Sequence, residues 1–294
     1  MQDRQGQVGL PDRLMSAAEL SAARVHCAVI GHPVGHSLSP ALHRAAHREL
    51  GLDWDYRAVD VEPGGVDDFM AGLDETWRGL SVTMPHKEQV RGHGSGDQMV
   101  ELTGVANTWL RPPGAEPIVR NTDVGGYQLA LGRAGVDAVD SAVVVGNGAT
   151  ARSAVVALRE MGAERIQLLA RRPERAEELR RFCSNTLGML CRVSPLQPGS
   201  VLSADVLLST VPSAGVDELA EELVGAVQLV FDSIYDPWPT RLAQASKAHG
   251  LPTLNGLDLL AGQAVEQVRL MTGGGEVGFE LLHAAGLAAL TARR

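Results

Sequence analysis

The segment VVVGNGATA sets Gly146, Gly148 and Ala151 in a G-x-G-x-x-A spacing, directly after an apolar run and at the start of a helical pattern. That arrangement suits a pyrophosphate. The first glycine permits the tight bend, the second admits backbone amides to phosphate oxygens, and the small third residue lets helix pack on strand. The helix start adds the positive end of its dipole. Gly146, Gly148, Ala149, Thr150 and Ala151 are therefore read as cofactor-binding. About twenty residues beyond such a turn, a chain that uses NAD carries an acid for the ribose hydroxyls. Here Ala170 is followed by Arg171 and Arg172, with Arg175 one turn on. Guanidinium groups grip a 2′-phosphate through charge-assisted hydrogen bonds, so the expected cofactor is NADP(H).

Four other strings bring polar side chains to points where loops could project them into a cleft. GHPVGHSLSP supplies Ser37 and Ser39, SVTMPHK supplies Thr83 and Lys87, GVANT supplies Asn107, and NTD supplies Asp123. Singly, each has a plain structural account. Ser39 reads as a helix cap before Pro40, Lys87 as a loop cation, Asn107 and Asp123 as turn residues. His43 and His47 stand four apart on one helix, a spacing that can bind zinc. Neither a third ligand nor an H-E-x-x-H glutamate accompanies them, so no metal is expected.

The elements that must position these residues follow from periodicity. Val25–Ile30, Tyr56–Val61 and Gly79–Thr83 read as strands, with a helix from Ser39 to Gly51 and a weaker one over Asp97–Leu102. Shorter strands are expected near Ala106–Leu110 and Ile118–Arg120. From Ser141 a βαβ train begins: SAVVVG, RIQLLA, DVLLST and VQLVFD as buried strands, ATARSAVVALREM and the charged PERAEELRRF as helices. Unbroken apolar runs separated by helices indicate a parallel sheet covered on both faces. Two helices, broken at Gly273–Gly275, close the chain. The fold class is α/β: an N-terminal α/β substrate domain (24–125) with the C-terminal helices (256–294) returning to it, a Rossmann-like domain (126–255), and a flexible tail (1–23).

Composition narrows the function further. With 26 Lys and Arg against 35 Asp and Glu, the net charge of −9 lacks the basic surface that nucleic acid demands. Three scattered cysteines form neither a disulfide framework nor a zinc knuckle, and a reducing, cytoplasmic setting is expected. No signal-peptide h-region and no apolar run of about 18 residues is present, so no membrane partner is expected.

Taken together and in order, the strings resemble those of shikimate dehydrogenases. That family carries G-x-P-x-x-H-S-x-S-P, N-V-T-x-P-x-K, G-A-x-N-T, N-T-D, a Gly-rich turn and a late G-x-x-M-L-x-x-Q. The last corresponds to the string from Gly256 to Gln263, and the likeness runs from about Val25 to Gln267. The resemblance implies reversible NADPH-dependent reduction of 3-dehydroshikimate to shikimate, a step of aromatic amino acid (chorismate) biosynthesis, in a monomer or homodimer. It assigns Ser37, Ser39 and Tyr235 to the substrate carboxylate. Thr83, Lys87, Asn107, Asp123 and Gln263 take the hydroxyls, and Gly256 joins the cofactor set. Lys87 becomes the acid in reduction and the base in oxidation, with Asp123 holding its ammonium. Because a free lysine titrates near about 10.4, oxidation is expected to improve at alkaline pH. Ser81 stands where the family usually has Asn, Leu259 where Met is common, Ser209 where Asn is frequent, and Ala170-Arg171-Arg172 replaces Asn-Arg-Thr. These departures leave open a quinate or aminoshikimate dehydrogenase, even one using NAD. A catalytically silent sensor is the third reading, against which the Lys87 and Asp123 pair stands.

Overall fold

Every residue of SAVVV (Ser141–Val145) is buried, as the unbroken apolar run requires of a strand covered on both faces. The structure is a computed structural model and describes residues 25–293; the expected tail, 1–23, lies outside the described residues. Around that strand, β7, a six-stranded parallel sheet forms with β8 (Arg165–Ala170), β9 (Leu190–Pro195), β10 (Val206–Ser209), β11 (Leu229–Asp232) and β12 (Thr253–Asn255). Its order is β12-β11-β10-β7-β8-β9. The direction of winding reverses between β7 and β10, which puts the turns after those two strands at the switch point where α/β sheets bind ligands. Helices α5 (Ala149–Glu160), α6 (Glu177–Arg181), α7 (Ala220–Gly225) and α8 (Arg241–Ala248) cover it.

The first sheet is mixed. It comprises β1 (His26–Gly31), β2 (Asp55–Asp60), β3 (Trp77–Val82), β4 (Ser95–Gly96), β5 (Thr108–Leu110) and β6 (Ile118–Arg120), ordered β2-β1-β3-β5-β6-β4. Strands β2, β1 and β3 run parallel, whereas β5 pairs antiparallel with both β3 and β6. Helices α1 (Ser39–Glu49), α2 (Val66–Ala71) and α3 (Gln98–Thr103) belong to this half. Trp54, Trp77 and Trp109 are buried in the core of this half.

Two helices connect the halves. Helix α4 (Asp123–Arg133) leads from the first sheet into the second, spanning the boundary expected at 125/126, and buries Val124, Tyr127 and Leu131 in the core of the second sheet. Helix α9 (Gly256–Thr272) leads back, its start fixed by a capping box of Asn255 and Asp258 and its end by the left-handed Gly273. It and α10 (Phe279–Thr291) bury Leu257, Ala261, Val268 and Leu282 against Leu38 and Leu42 at the start of α1. The expected return of the C-terminal helices to the first half is thus what is seen.

Two local expectations change. Ser39 is the first residue of α1 rather than its cap: Leu38 occupies the cap position and offers no side-chain acceptor. The charged PERAEELRRF is not one helix but a 3-10 turn (Pro173–Ala176), α6, and a π-turn (Phe182–Thr186) that buries Cys183. Among the described residues no helix is long and apolar enough to cross a membrane.

Candidate active site

Lys87 and Asp123 lie 36 positions apart, on the loop after β3 and the first residue of α4, yet Lys87 Nζ donates to Asp123 Oδ2 at 2.5 Å. Asp123 is fully buried, while Lys87 keeps a small exposed surface on a cavity of about 290 Å³ between the halves. The carboxylate also occupies the positive end of an 11-residue helix. Its second oxygen, Oδ1, accepts from Asn107 Nδ2 at 2.9 Å. Breaking such a pair strands a charge in low dielectric, at a typical cost of about 3–5 kcal/mol.

The same cavity is lined by Ser37, Ser39, Thr83, Tyr235 and Gln263, and by Thr150 and Gly256 from the cofactor set. Relieved of a capping role, Ser39 keeps its hydroxyl for the cavity. Its oxygen accepts from Ser37 Oγ at 3.3 Å, and Ser37 Oγ in turn accepts from the Ser39 amide. Tyr235 donates to the His36 carbonyl at 3.4 Å, and Arg293 donates to the carbonyls of His36 and Ser37 at 2.7 and 3.1 Å, so the serine loop is held from outside. Arg293 carries no motif and is absent from the sequence reading.

Asn107 is placed differently from the expectation. It is 1 % exposed and sits behind the cavity wall, with Oδ1 accepting from the Thr122 amide at 2.8 Å and Nδ2 donating to Asp123 and Gln263. Every polar atom of its side chain is engaged by protein, so it fixes Asp123 and Gln263 rather than facing the space beside them. Asn121 adds a second fixture: Oδ1 accepts the Asp123 amide at 3.1 Å and Nδ2 donates to Ser153 of α5 at 3.0 Å. Asn121 was not singled out by its sequence, although it stands in the NTD string.

Gln263 reaches Asn107 because α4 and α9 cross at two glycines. A Cβ on Gly262 would stand 2.5 Å from the Gly126 carbonyl oxygen, and one on Gly126 would stand 2.8 Å from the Gln263 amide nitrogen. Only hydrogen at both positions allows that approach.

A second cavity of about 290 Å³ is lined by Gly146, Asn147, Arg171, Arg172 and Arg175, and shares Val211 and Pro212 with the first. Gly146 adopts φ +113, the left-handed side that other residues avoid. Helix α5 starts at Ala149 with Gly148 before it, and Ala151 is fully buried in the same core as Ala142 and Val144 of β7, as the small third position of the fingerprint allows. Arg180 and Arg181 pair with Glu177, whereas Arg171, Arg172 and Arg175 meet no carboxylate among the described residues. Three guanidiniums beside a glycine turn and a helix start fit a phosphorylated dinucleotide. A more voluminous cavity, about 740 Å³, opens around Arg165, Met189 and Leu202 and contains none of these residues.

His43 and His47 are buried within the first half, and burial pushes them down to about 3 and about 4. They are not part of a ligand cluster. Among the described residues the three-group cluster able to converge on an ion is His32, Asp60 and Glu62, at the surface.

Residues 29–108 match the model of the shikimate dehydrogenase substrate binding domain. The chain is 36% identical over 263 residues to a shikimate dehydrogenase (NADP(+)) of Methanothermobacter thermautotrophicus, covering 83% of this chain and 90% of that one. The chain belongs to the shikimate dehydrogenase family. Among solved members, a shikimate 5-dehydrogenase of Mycobacterium fortuitum superposes with TM-score 0.79 at 38% identity, covering 90% of this chain and 98% of that one. Another from Thermus thermophilus, solved with NADP(H) and shikimate, gives TM-score 0.76 at 30% identity over 90% and 99% of the two chains. The α/β architecture and Rossmann-like parallel sheet are therefore family features.

Proposed function

We propose that this shikimate dehydrogenase family member catalyses the reversible, NADPH-dependent reduction of 3-dehydroshikimate to shikimate. The observation that carries the reading is the buried Lys87–Asp123 pair opening onto a cavity walled by the family's serine, threonine and glutamine positions. The domain around the first sheet, with the C-terminal helices, holds the substrate, and the domain around the parallel sheet holds NADP(H). Ser37, Ser39 and Tyr235 surround the carboxylate, Thr83 and Gln263 the hydroxyls. The hydroxyl donors and the α1 start favour an anion there. Three free cysteines support a reducing, cytoplasmic setting, and the expected state is a monomer or homodimer.

When bound, the nicotinamide supplies the hydride. The chain's own residues manage charge and proton. As the 3-carbonyl is reduced, negative charge gathers on its oxygen, and the Lys87 ammonium, held by Asp123, donates the proton. In oxidation, Lys87 as the neutral amine takes the proton of the 3-hydroxyl. Asp123 steers Nζ in both directions and keeps the ammonium form compensated while buried. A sensor has no use for such a pair.

The test is spectrophotometric turnover of shikimate, quinate and aminoshikimate, each with NADP and with NAD. Shikimate with NADP should give the highest kcat/KM. Turnover of none of the six combinations would sink the enzymatic reading, and a preference for another ring would replace the substrate.

A further inference from the structure

Behind the cavity wall, Gln267 of α9 lies 1 % exposed and joins three elements through its carboxamide. Nε2 donates to the Asn107 carbonyl at 3.3 Å and to Thr108 Oγ1 at 3.0 Å on β5. Oε1 accepts from Ser81 Oγ on β3 at 2.8 Å and faces His43 Nε2 on α1 at 3.2 Å. The orientation of this amide is settled by its neighbours. A backbone carbonyl only accepts, so the nitrogen must face Asn107 and the oxygen must face Ser81. Ser81 is then obliged to donate inward. Tyr56, whose hydroxyl stands 2.6 Å from Ser81 Oγ, is obliged to donate to it. His43, stacked on Tyr56 at 4.1 Å, supplies an N–H from Nε2 as the neutral imidazole.

The consequence reaches the cavity, which Ser81 lines. A hydroxyl has one proton and two lone pairs. The proton goes to Gln267 and one lone pair to Tyr56, so a single lone pair remains for a ligand. At the other end of the same network the Thr122 amide fixes Asn107 in the same way, and Asn107 Nδ2 turns Gln263 Oε1 inward at 2.6 Å. The Gln263 amino group is what is left to face the cavity.

We propose that Gln267 is a specificity-determining positioning residue: it makes Ser81 a pure hydrogen-bond acceptor toward the substrate, selecting a ring position that donates. A hydroxyl or amine opposite Ser81 is accepted there, and a carbonyl or ether oxygen is refused because two acceptors would meet. This inference rests on the dehydrogenase reading above. It assigns a role to a residue that never touches the ligand, at the wall position where the family's usual Asn is replaced by Ser.

The test is a double-mutant cycle on the full chain with Gln267→Met, which keeps the volume, and Ser81→Ala. Gln267→Met should raise the KM for shikimate about ten-fold, the scale of one misdirected hydrogen bond, with kcat within about three-fold and the KM for NADP unchanged. Ser81→Ala should raise the shikimate KM by a similar factor. The double variant should match Ser81→Ala alone, because the amide then has no hydroxyl to direct. An unchanged shikimate KM in folded Gln267→Met, with only Tm lowered, would reduce Gln267 to a structural residue. Independent, multiplying effects in the double variant would equally overturn the inference. Should Gln267→Met fail to fold, Gln267→Leu carries the same expectations. A wild-type enzyme inert toward shikimate would overturn the functional reading and this one with it, whereas the preceding outcomes overturn this one alone.

Discussion

Replacing Lys87 by Ala removes the proposed proton donor and leaves the buried Asp123 carboxylate without its ion-pair partner. Steady-state assays should find kcat lowered by about 10²–10⁴, with a lower Tm from the stranded charge; near-normal turnover would remove Lys87 from the chemistry. Replacing Arg171 and Arg172 together by Ala should raise the KM for NADPH about 10- to 100-fold and narrow the preference over NADH. An unchanged KM would place the 2′-phosphate elsewhere. His43 and His47 govern acid stability. Their folded values, about 3 and about 4, lie below the unfolded value of about 6.5, so on acidification the unfolded chain takes up protons first. Stability is therefore full above pH 6.5 and falls as pH drops toward those folded values. The loss is about 2 kcal/mol per imidazole by pH 5. Asp232, pushed up to about 6 by burial, works in the opposite sense below that pH and offsets part of it. Denaturant melts at pH 7 and pH 5 should show this slope, and His43→Gln should flatten it. Residues in motifs, such as Ser37, Lys87 and Asp123, were legible from the string alone. Gln267, Asn121 and Arg293 were not, because an amide or guanidinium that braces another residue leaves no spacing signature.

Among the elements, the crossing of α4 and α9 makes the sharpest claim. Gly262→Ala introduces a Cβ into the Gly126 carbonyl and must drive the helices apart. Overpacking of this kind costs about 1–3 kcal/mol. The shift of Gln263 and Asp123 should lower kcat/KM by up to about 10²-fold, which urea melts and steady-state kinetics on the same variant would measure. An active, fully stable Gly262→Ala enzyme would mean the helices adjust freely. Strands β7, β8, β10 and β11 of the parallel sheet are plain in the sequence because their runs are apolar and almost wholly buried, whereas the three-residue edge strand β12 is only half-buried and leaves no such run. Helix α4 was missed: Gly125, Gly126 and Gly132 lower its propensity, and its formation depends on packing between α9 and the second sheet. Strand β9 was missed because it is an edge with alternating exposure that ends at Pro195. The capping role expected of Ser39 failed for the opposite reason, since a good cap residue was placed one position inside the helix.

At the scale of the molecule, ligand binding should register as stability. A ligand held only by the folded state at about 100 times its Kd adds about 2.7 kcal/mol, or roughly 4–5 °C for a chain of this size. Thermal unfolding should show that rise with NADP and a clearly smaller one with NAD at equal concentration; equal rises would argue against the arginines as the selecting feature. The chain passes between its two sheets at α4 and again at α9, and these passages touch backbone to backbone where Gly126 meets Gly262. A door turns least at its hinge pin. Asp123 begins one of the passages and Gln263 follows the contact on the other, so a rotation of one half against the other about that contact would swing the arginine-lined side through an arc and leave the acid–base couple almost in place. Opening wide enough to admit or shed a large nucleotide need not disturb the site of proton transfer.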